Sequence, residues 1–193
     1  EEVAALIEQG VKFAFGKTLG KDFTIDSLKN DGFEAIFVAI GNGKKVESTI
    51  PGTENALDAL EVLKSANAGN APELAETVAV IGKGFAAMDA ARTALRLGAE
   101  TTIVYRRTEK ELPARVEEVH HAKEEGIQFA MLTNPVEVLG DENGWVKGIT
   151  CLRMELGEPD EKGRRRPVEI PGSEFTMDVD AVIMSIGLMK RKQ

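Results

Sequence analysis

The residue types best suited to chemistry in this sequence are glycines and arginines at fixed intervals. Gly82-x-Gly84-x-x-Ala87 follows directly on Val78-Ala79-Val80-Ile81, and Tyr105-Arg106-Arg107 closes a second apolar run at Thr101–Tyr105. The first glycine predicts a tight turn, the second a backbone that a pyrophosphate can approach, and Ala87 a helix packed closely on the strand. The start of that helix offers free N–H groups and the positive end of a dipole, which suits phosphate. Gly82, Lys83, Gly84, Phe85, Ala86 and Ala87 are therefore candidate cofactor-binding residues. Tyr105, Arg106 and Arg107 form a second candidate group, because the end of the second strand is where the adenosine ribose is read. A carboxylate there would accept bonds from the hydroxyls of NAD. A guanidinium instead grips a 2′-phosphate with paired charge-assisted bonds, so the expectation is NADP(H). The plainer alternative is that two exposed arginines only keep a loop in water.

These residues need a scaffold to hold them, and the pattern around them supplies one. A helix is predicted from about Ala86 to Leu97 with Gly98 as its stop, completing a β-α-β unit of about 30 residues with the strand at Thr101–Tyr105. A further helix at Arg115–Glu125 ends at Gly126, and Ile127–Leu132 reads as the third strand. From Pro135 the pattern changes to hairpins: Val136–Leu139, a turn at Asn143-Gly144, then Trp145–Leu156 and Val168–Ile170 around a polar loop at Gly157–Arg166. Val182–Ile186 is the last strand. Upstream, Val3, Leu6 and Ile7 share a helical face ended by Gly10, alternation at Val11–Phe15 predicts a strand, and a helical turn follows Thr24. Ile36–Ile40 reads as a buried parallel strand. Gly41-Asn42-Gly43 is rejected as a nucleotide turn because no helical periodicity follows it. Asn55–Leu63 reads as an amphipathic helix and Ser65–Glu76 as a linker, with a domain boundary near Pro72.

Other chemically capable residues have plainer readings. His120 and His121 are adjacent on a helix, about 100° apart, and cannot share a metal. Asp89, Arg92 and Arg96 fit a solvated helix face. Arg164-Arg165-Arg166 either docks an acidic partner surface or simply keeps a hairpin tip soluble. Trp145 and Cys151 read as packing residues. Cys151 is the only cysteine, which excludes an internal disulfide, a CxxC pair and a cysteine-ligated cluster within the chain. At 193 residues with 42% hydrophobic and 29% charged content the chain suits one good core and a fraction more. A net charge of −8 argues against nucleic acid as partner, and no apolar run reaches membrane-spanning length. Cytoplasm is the expected location. A start at Glu1 in mid-pattern suggests a piece excised from a longer protein.

Met88-Asp89-Ala90-Ala91-Arg92, Tyr105-Arg106-Arg107-Thr108, Leu112-Pro113-Ala114 and Asp141-Glu142-Asn143-Gly144-Trp145-Val146-Lys147-Gly148 carry a family resemblance. The chain resembles the small (beta) subunit of NADPH-dependent glutamate synthase and related FAD-dependent pyridine-nucleotide oxidoreductases. The resemblance covers nearly the whole chain and is most specific from the middle onward. It implies a Rossmann-like α/β domain of the FAD/NAD(P)-linked reductase type, a parallel sheet with an antiparallel β-meander crossover. It further implies an NADP(H)-binding domain at 73–193 inserted in a FAD-binding domain, of which residues 1–72 are a remnant plus linker. Hydride would pass from NADPH to FAD, and electrons would leave through iron–sulfur centres or a partner such as the large amidotransferase subunit. The family's N-terminal Gly-rich βαβ unit and Gly-Asp flavin motif do not occur here, so FAD is expected in the intact protein but not in this piece. Lys83 and Phe85 stand where the family usually has Gly and Asn. They leave open a second reading, a degenerate module with a structural or assembly role.

Overall fold

A computed structural model describes residues 2–40, 44–161 and 163–189. The chain divides into two compact units, Glu1–Gly41 and Asn42–Gln193. The first holds two short helices, α1 (Glu2–Glu8) and α2 (Ile25–Asn30). Thr24 caps α2 reciprocally: its hydroxyl accepts from Ser27 N at 3.1 Å, and the Ser27 hydroxyl accepts from Thr24 N at 2.9 Å. The two strands expected in this unit do not form. Val11–Phe15 and Ile36–Ile40 join no ladder among the described residues. Phe13 and Phe15 stack on each other with ring centroids 5.5 Å apart, and Phe37 is 92% exposed. Alternation and apolarity make a strand only where a neighbour takes up its N–H and C=O groups.

The second unit is built on a five-stranded parallel sheet. Its strands are β2 (Leu57–Asp58), β3 (Thr77–Gly82), β4 (Glu100–Tyr105), β5 (Gln128–Met131) and β10 (Ala181–Ser185), in the order β2-β10-β3-β4-β5. Three helices cover one face: α3 (Ala59–Asn67), α4 (Phe85–Arg96) and α5 (Val116–Glu125). The meander covers the other, as β6 (Thr133–Gly140), β7 (Val146–Pro159), β8 (Arg165–Glu169) and β9 (Phe175–Met177). A small antiparallel pair, β1 (Lys44–Lys45) with β11 (Leu188–Met189), stands apart. Successive residues of β3 serve both faces. Val78 and Val80 pack with Met88, Ala91 and Ile103 in the helical core, while Ala79 and Ile81 pack with Val138, Ile149 and Cys151 under the meander. Burial on both faces is why β3 reads as continuous apolar sequence.

The central βαβ unit matches its sequence pattern closely, and other elements depart from theirs. The helix expected at Asn55–Leu63 starts only at Ala59, because Leu57 and Asp58 pair in parallel with Ile183 and Met184, and Asp58 caps α3 through Leu60 N and Glu61 N at 3.0 and 3.1 Å. Residues 44–72 thus lie in the same compact unit as the sheet. Pro51-Gly52 is seated on β6: Val138 N donates to the Pro51 carbonyl at 2.9 Å. Gly52 has φ +79, and a Cβ there would stand 1.9 Å from the Val138 carbonyl oxygen, so no other residue fits. Strand β9, absent from the sequence reading, pairs antiparallel with β7. Arg92 and Arg96 are not simply solvated, since both donate to Glu125 and join α4 to α5. Trp145 is 73% exposed rather than packed; its backbone N–H, not its ring, closes the turn on the Asp141 carboxylate.

Candidate functional site

The C-terminal ends of β3, β4 and β10 converge on one edge of the sheet. Gly82 ends β3 opposite Ser185 of β10. A Cβ at Gly82 would meet the Ser185 carbonyl oxygen at 2.7 Å and the Ala87 Cβ at 2.8 Å. Gly82 and Ala87 are therefore one packing device: a missing side chain and a single methyl let the start of α4 lie against the sheet. Gly84 differs. It is the N-cap of α4, its φ of −102 is open to most residues, and a Cβ there would meet nothing. The space in front of Gly84 is free, and no side chain caps the helix. The first N–H groups of a helix have no intrahelical acceptor. An anion can take them.

Three cavities run along this edge and share residues. One, of about 250 Å³, lies over the strand ends between Ile81, Gly82, Lys83, Tyr105, Arg106, Ser185 and Ile186. A second, of about 470 Å³, continues from Lys83, Tyr105 and Arg106 to Arg107, Arg164 and Arg166. A third, of about 520 Å³, shares Ser185 and Ile186 with the first and runs past Ala86 toward Glu47, Glu54 and Asp58. The trough is cationic at one end and acidic at the other.

The candidate residues separate by position. Lys83 lines two of the cavities. Phe85, the first residue of α4, is half exposed and lines none of these three. Ala86 borders the acidic end and Ala87 is fully buried. Arg106 is exposed at the cationic end. Tyr105 is 6% exposed, and its hydroxyl donates to the Glu111 carbonyl at 3.0 Å. Burial pushes this phenol up, and the neighbouring Arg107 draws it part of the way back. Tyr105 thus fastens the loop after β4, a loop that Thr108 and Glu111 close by bonding each other. Glu111 is held below the usual carboxylate range, first by the Thr108 hydroxyl. Arg107 lines the same cavity, and its Nη2 donates to the carbonyl of Arg165 on β8. Its Nε is a buried donor without a partner among the described residues.

Arg164 and Arg166 are the contribution that sequence reasoning missed. Nothing local signals them, because only the pairing of β7 with β8 brings a hairpin about 60 residues downstream to the end of β4. The rejected Gly41-Asn42-Gly43 lies outside the described residues. His120 and His121 are exposed, and among the described residues no group of His, Cys, Asp and Glu is placed to hold a metal. Likewise, no helix of the described residues is long and apolar enough to cross a membrane.

The chain is similar to known proteins. Over 192 residues the chain is 40% identical to NADPH-Fe(3+) oxidoreductase subunit beta of Geobacter sulfurreducens, covering 96% of this chain and 28% of that one. It is 39% identical to NADP(+)-dependent formate dehydrogenase subunit beta of Moorella thermoacetica, with 96% and 27% covered. Against the glutamate synthase [NADPH] small chain of Halomonas elongata it is 38% identical over 197 residues, with 95% and 41% covered. The chain thus spans well under half the length of these relatives. Among solved structures, a 2-naphthoyl-CoA reductase matches with a TM-score of 0.63 at 14% identity, over 96% of this chain and 24% of that one. Lactococcus lactis thioredoxin reductase matches at 0.55 and 21% identity, over 75% and 42%. These two share the fold: a parallel sheet with helices on one face and a meander on the other. The model of the pyridine nucleotide-disulphide oxidoreductases matches residues 1–193 throughout, and to that family the chain belongs.

Proposed function

We propose that the trough is an NADP(H) site and that the chain is the nucleotide-binding part of a flavin-dependent oxidoreductase like the glutamate synthase small chain. The observation that carries this reading is the run of cavities along the strand ends, with the uncapped start of α4 in the middle and cations at one end. In an open parallel sheet, ligands bind outside the carboxyl ends of the strands where the order reverses, and β3 stands at that point between β10 and β4. Gly84 leaves room for the pyrophosphate, and the first N–H groups of α4 bind it. Arg106 and Lys83 hold the 2′-phosphate, whose planar recognition by a guanidinium separates NADP(H) from NAD(H). The names of the relatives, two of them NADPH enzymes and one NADP(+)-dependent, agree with that choice.

The chemistry such a cofactor supplies is hydride transfer, in the intact protein to FAD and onward to iron–sulfur centres or a partner subunit. This chain's residues bind and orient. No acid, base or nucleophile is needed from them. The described residues hold no second strand–glycine–helix turn of the kind that grips a flavin pyrophosphate, so no step through FAD is assigned to them, and a retained flavin after desalting would overturn the division of labour. Residues 1–72 are read as a remnant of the flavin domain plus linker, whose Leu57-Asp58 adds an edge strand to the sheet, and 73–193 as the nucleotide domain. Calorimetric titration with NADPH tests the reading. Binding at one nucleotide per chain is expected. No heat at millimolar nucleotide would favour the degenerate module that Lys83 and Phe85 suggest.

A further inference from the structure

We propose that the hairpin joining β7 to β8 completes the phosphate site: Arg164 and Arg166 are specificity-determining residues facing Arg106 and Lys83, and Arg107 is the positioning residue that ties the hairpin to β4. The inference rests on the nucleotide reading above and deepens it.

Three consecutive arginines would ordinarily be a soluble tip, but here they divide by side. Alternate residues of an extended chain point to opposite faces. Arg165 points one way and donates back to its own hairpin, to the Gly157 carbonyl through Nε at 2.8 Å and to the Leu156 carbonyl through Nη2 at 2.7 Å. Arg164 and Arg166 line the cleft with Lys83, Arg106 and Arg107. A register shift between Leu156 and Pro159 marks a bulge, a device that twists a hairpin and re-aims its side chains. Gly157 permits it, since a Cβ there would stand 3.1 Å from the Val168 Cγ2.

The charge balance of this cleft is opposite to that of the chain. Five cations and one carboxylate, Asp160, line it, in a protein of net charge −8. Asp160 accepts from Arg164 N at 2.8 Å and from its Nε at 3.3 Å, which fixes the turn and orients the guanidinium. Arg166 and Arg106 have no ion-pair partner among the described residues. Gathering like charges is unfavourable unless an anion joins them. A phosphate monoester carries about −1.5 to −2 charges and accepts from several guanidinium groups at once.

Arg107 acts on this cleft through the backbone. Its side chain donates to the Arg165 carbonyl, and its own carbonyl accepts from Leu132 N at 3.0 Å. The end of β4, the start of β6 and the tip of β8 are thus held by one residue, which fixes the width of the cleft.

The test measures NADPH and NADH affinities of the full chain by calorimetry at two salt concentrations. In the variant carrying both Arg164→Ala and Arg166→Ala, NADPH affinity should fall at least about tenfold, NADH affinity should stay within about twofold, and the salt dependence of NADPH binding should become shallower. Retained NADH affinity also shows that the variant is folded. Arg107→Ala should lower the NADPH/NADH ratio in the wild-type background but add little to the double variant, because its effect passes through the hairpin. A wild-type preference for NADPH that survives the double substitution would overturn the inference and leave the nucleotide reading intact. An equal effect of Arg107→Ala in both backgrounds would overturn its positioning role. Equal wild-type affinities for NADPH and NADH would instead remove the reading on which the inference rests.

Discussion

Two apolar runs of similar composition, Ile36–Ile40 in the first unit and Val78–Ile81 in the second, have opposite fates. The first is irregular and its Phe37 is 92% exposed; the second is the central strand of a sheet and at most 5% exposed. Their own propensities do not separate them. What differs is company: β3 has β10 and β4 on its edges, α4 over one face and the meander over the other. An apolar run is a demand for neighbours. Only the second run has them within its unit, and the candidate site stands at its end.

That contrast is sharpest in stability. Ile103→Ala empties a fully buried place in the helical core and should cost about 2–5 kcal/mol. Phe37→Ala removes a larger side chain from an exposed place and should change stability by less than about 0.5 kcal/mol. Urea denaturation of both variants checks this, and comparable losses would mean that Phe37 has packing neighbours. Next in size is Arg106→Ala, which should lower NADPH affinity by about ten- to hundredfold, the worth of one charge-assisted bond, with NADH affinity unchanged.

Gly82→Ala comes third. Its added Cβ forces apart Ala87 and Ser185, and overpacking of this kind costs about 1–3 kcal/mol. Gly84→Ala meets nothing in the free protein, so it should leave the melting temperature nearly unchanged and weaken nucleotide binding. The pair separates the two glycines of one motif into a packing glycine and a ligand glycine. Equal melting losses would refute the separation.

The smallest effect concerns Cys151, sealed under the meander, whose thiol burial pushes from an ordinary 9.0 up to about 12. The folded state keeps this proton where the unfolded state has lost it, so stability falls as pH rises above about 9. Comparing melting curves at pH 8 and 10 for the wild type and Cys151→Val isolates this contribution, which the variant should lack. Native Cys151 should also resist a thiol reagent at pH 8, since a buried thiol presents no thiolate.

The central βαβ unit was legible because its signals are local and agree: apolar run, glycine spacing, helix periodicity, Gly98 at φ +103 as the stop. The first forty residues were legible only where a signal needs no partner, as in the Thr24 cap. Leu57-Asp58 reads as helix in the sequence because a two-residue edge strand is defined by Ile183 and Met184, more than a hundred residues away. Trp145 reads as a packing residue because a large aromatic is normally buried, whereas here its backbone makes the turn. The places of Gly82 and Arg106 at the strand ends could be read from position alone. The separate duties of Arg107 and Tyr105, and the arrival of Arg164 and Arg166, depend on how β6, β7 and β8 fold back, which no spacing encodes.

On this reading the cationic end of the trough selects a 2′-phosphate. The most direct measurement is the ratio of NADPH to NADH affinity of the unmodified chain, taken by calorimetry at one low ionic strength. A preference of at least about tenfold for NADPH is predicted, weakening as salt is added. A ratio near one would contradict it.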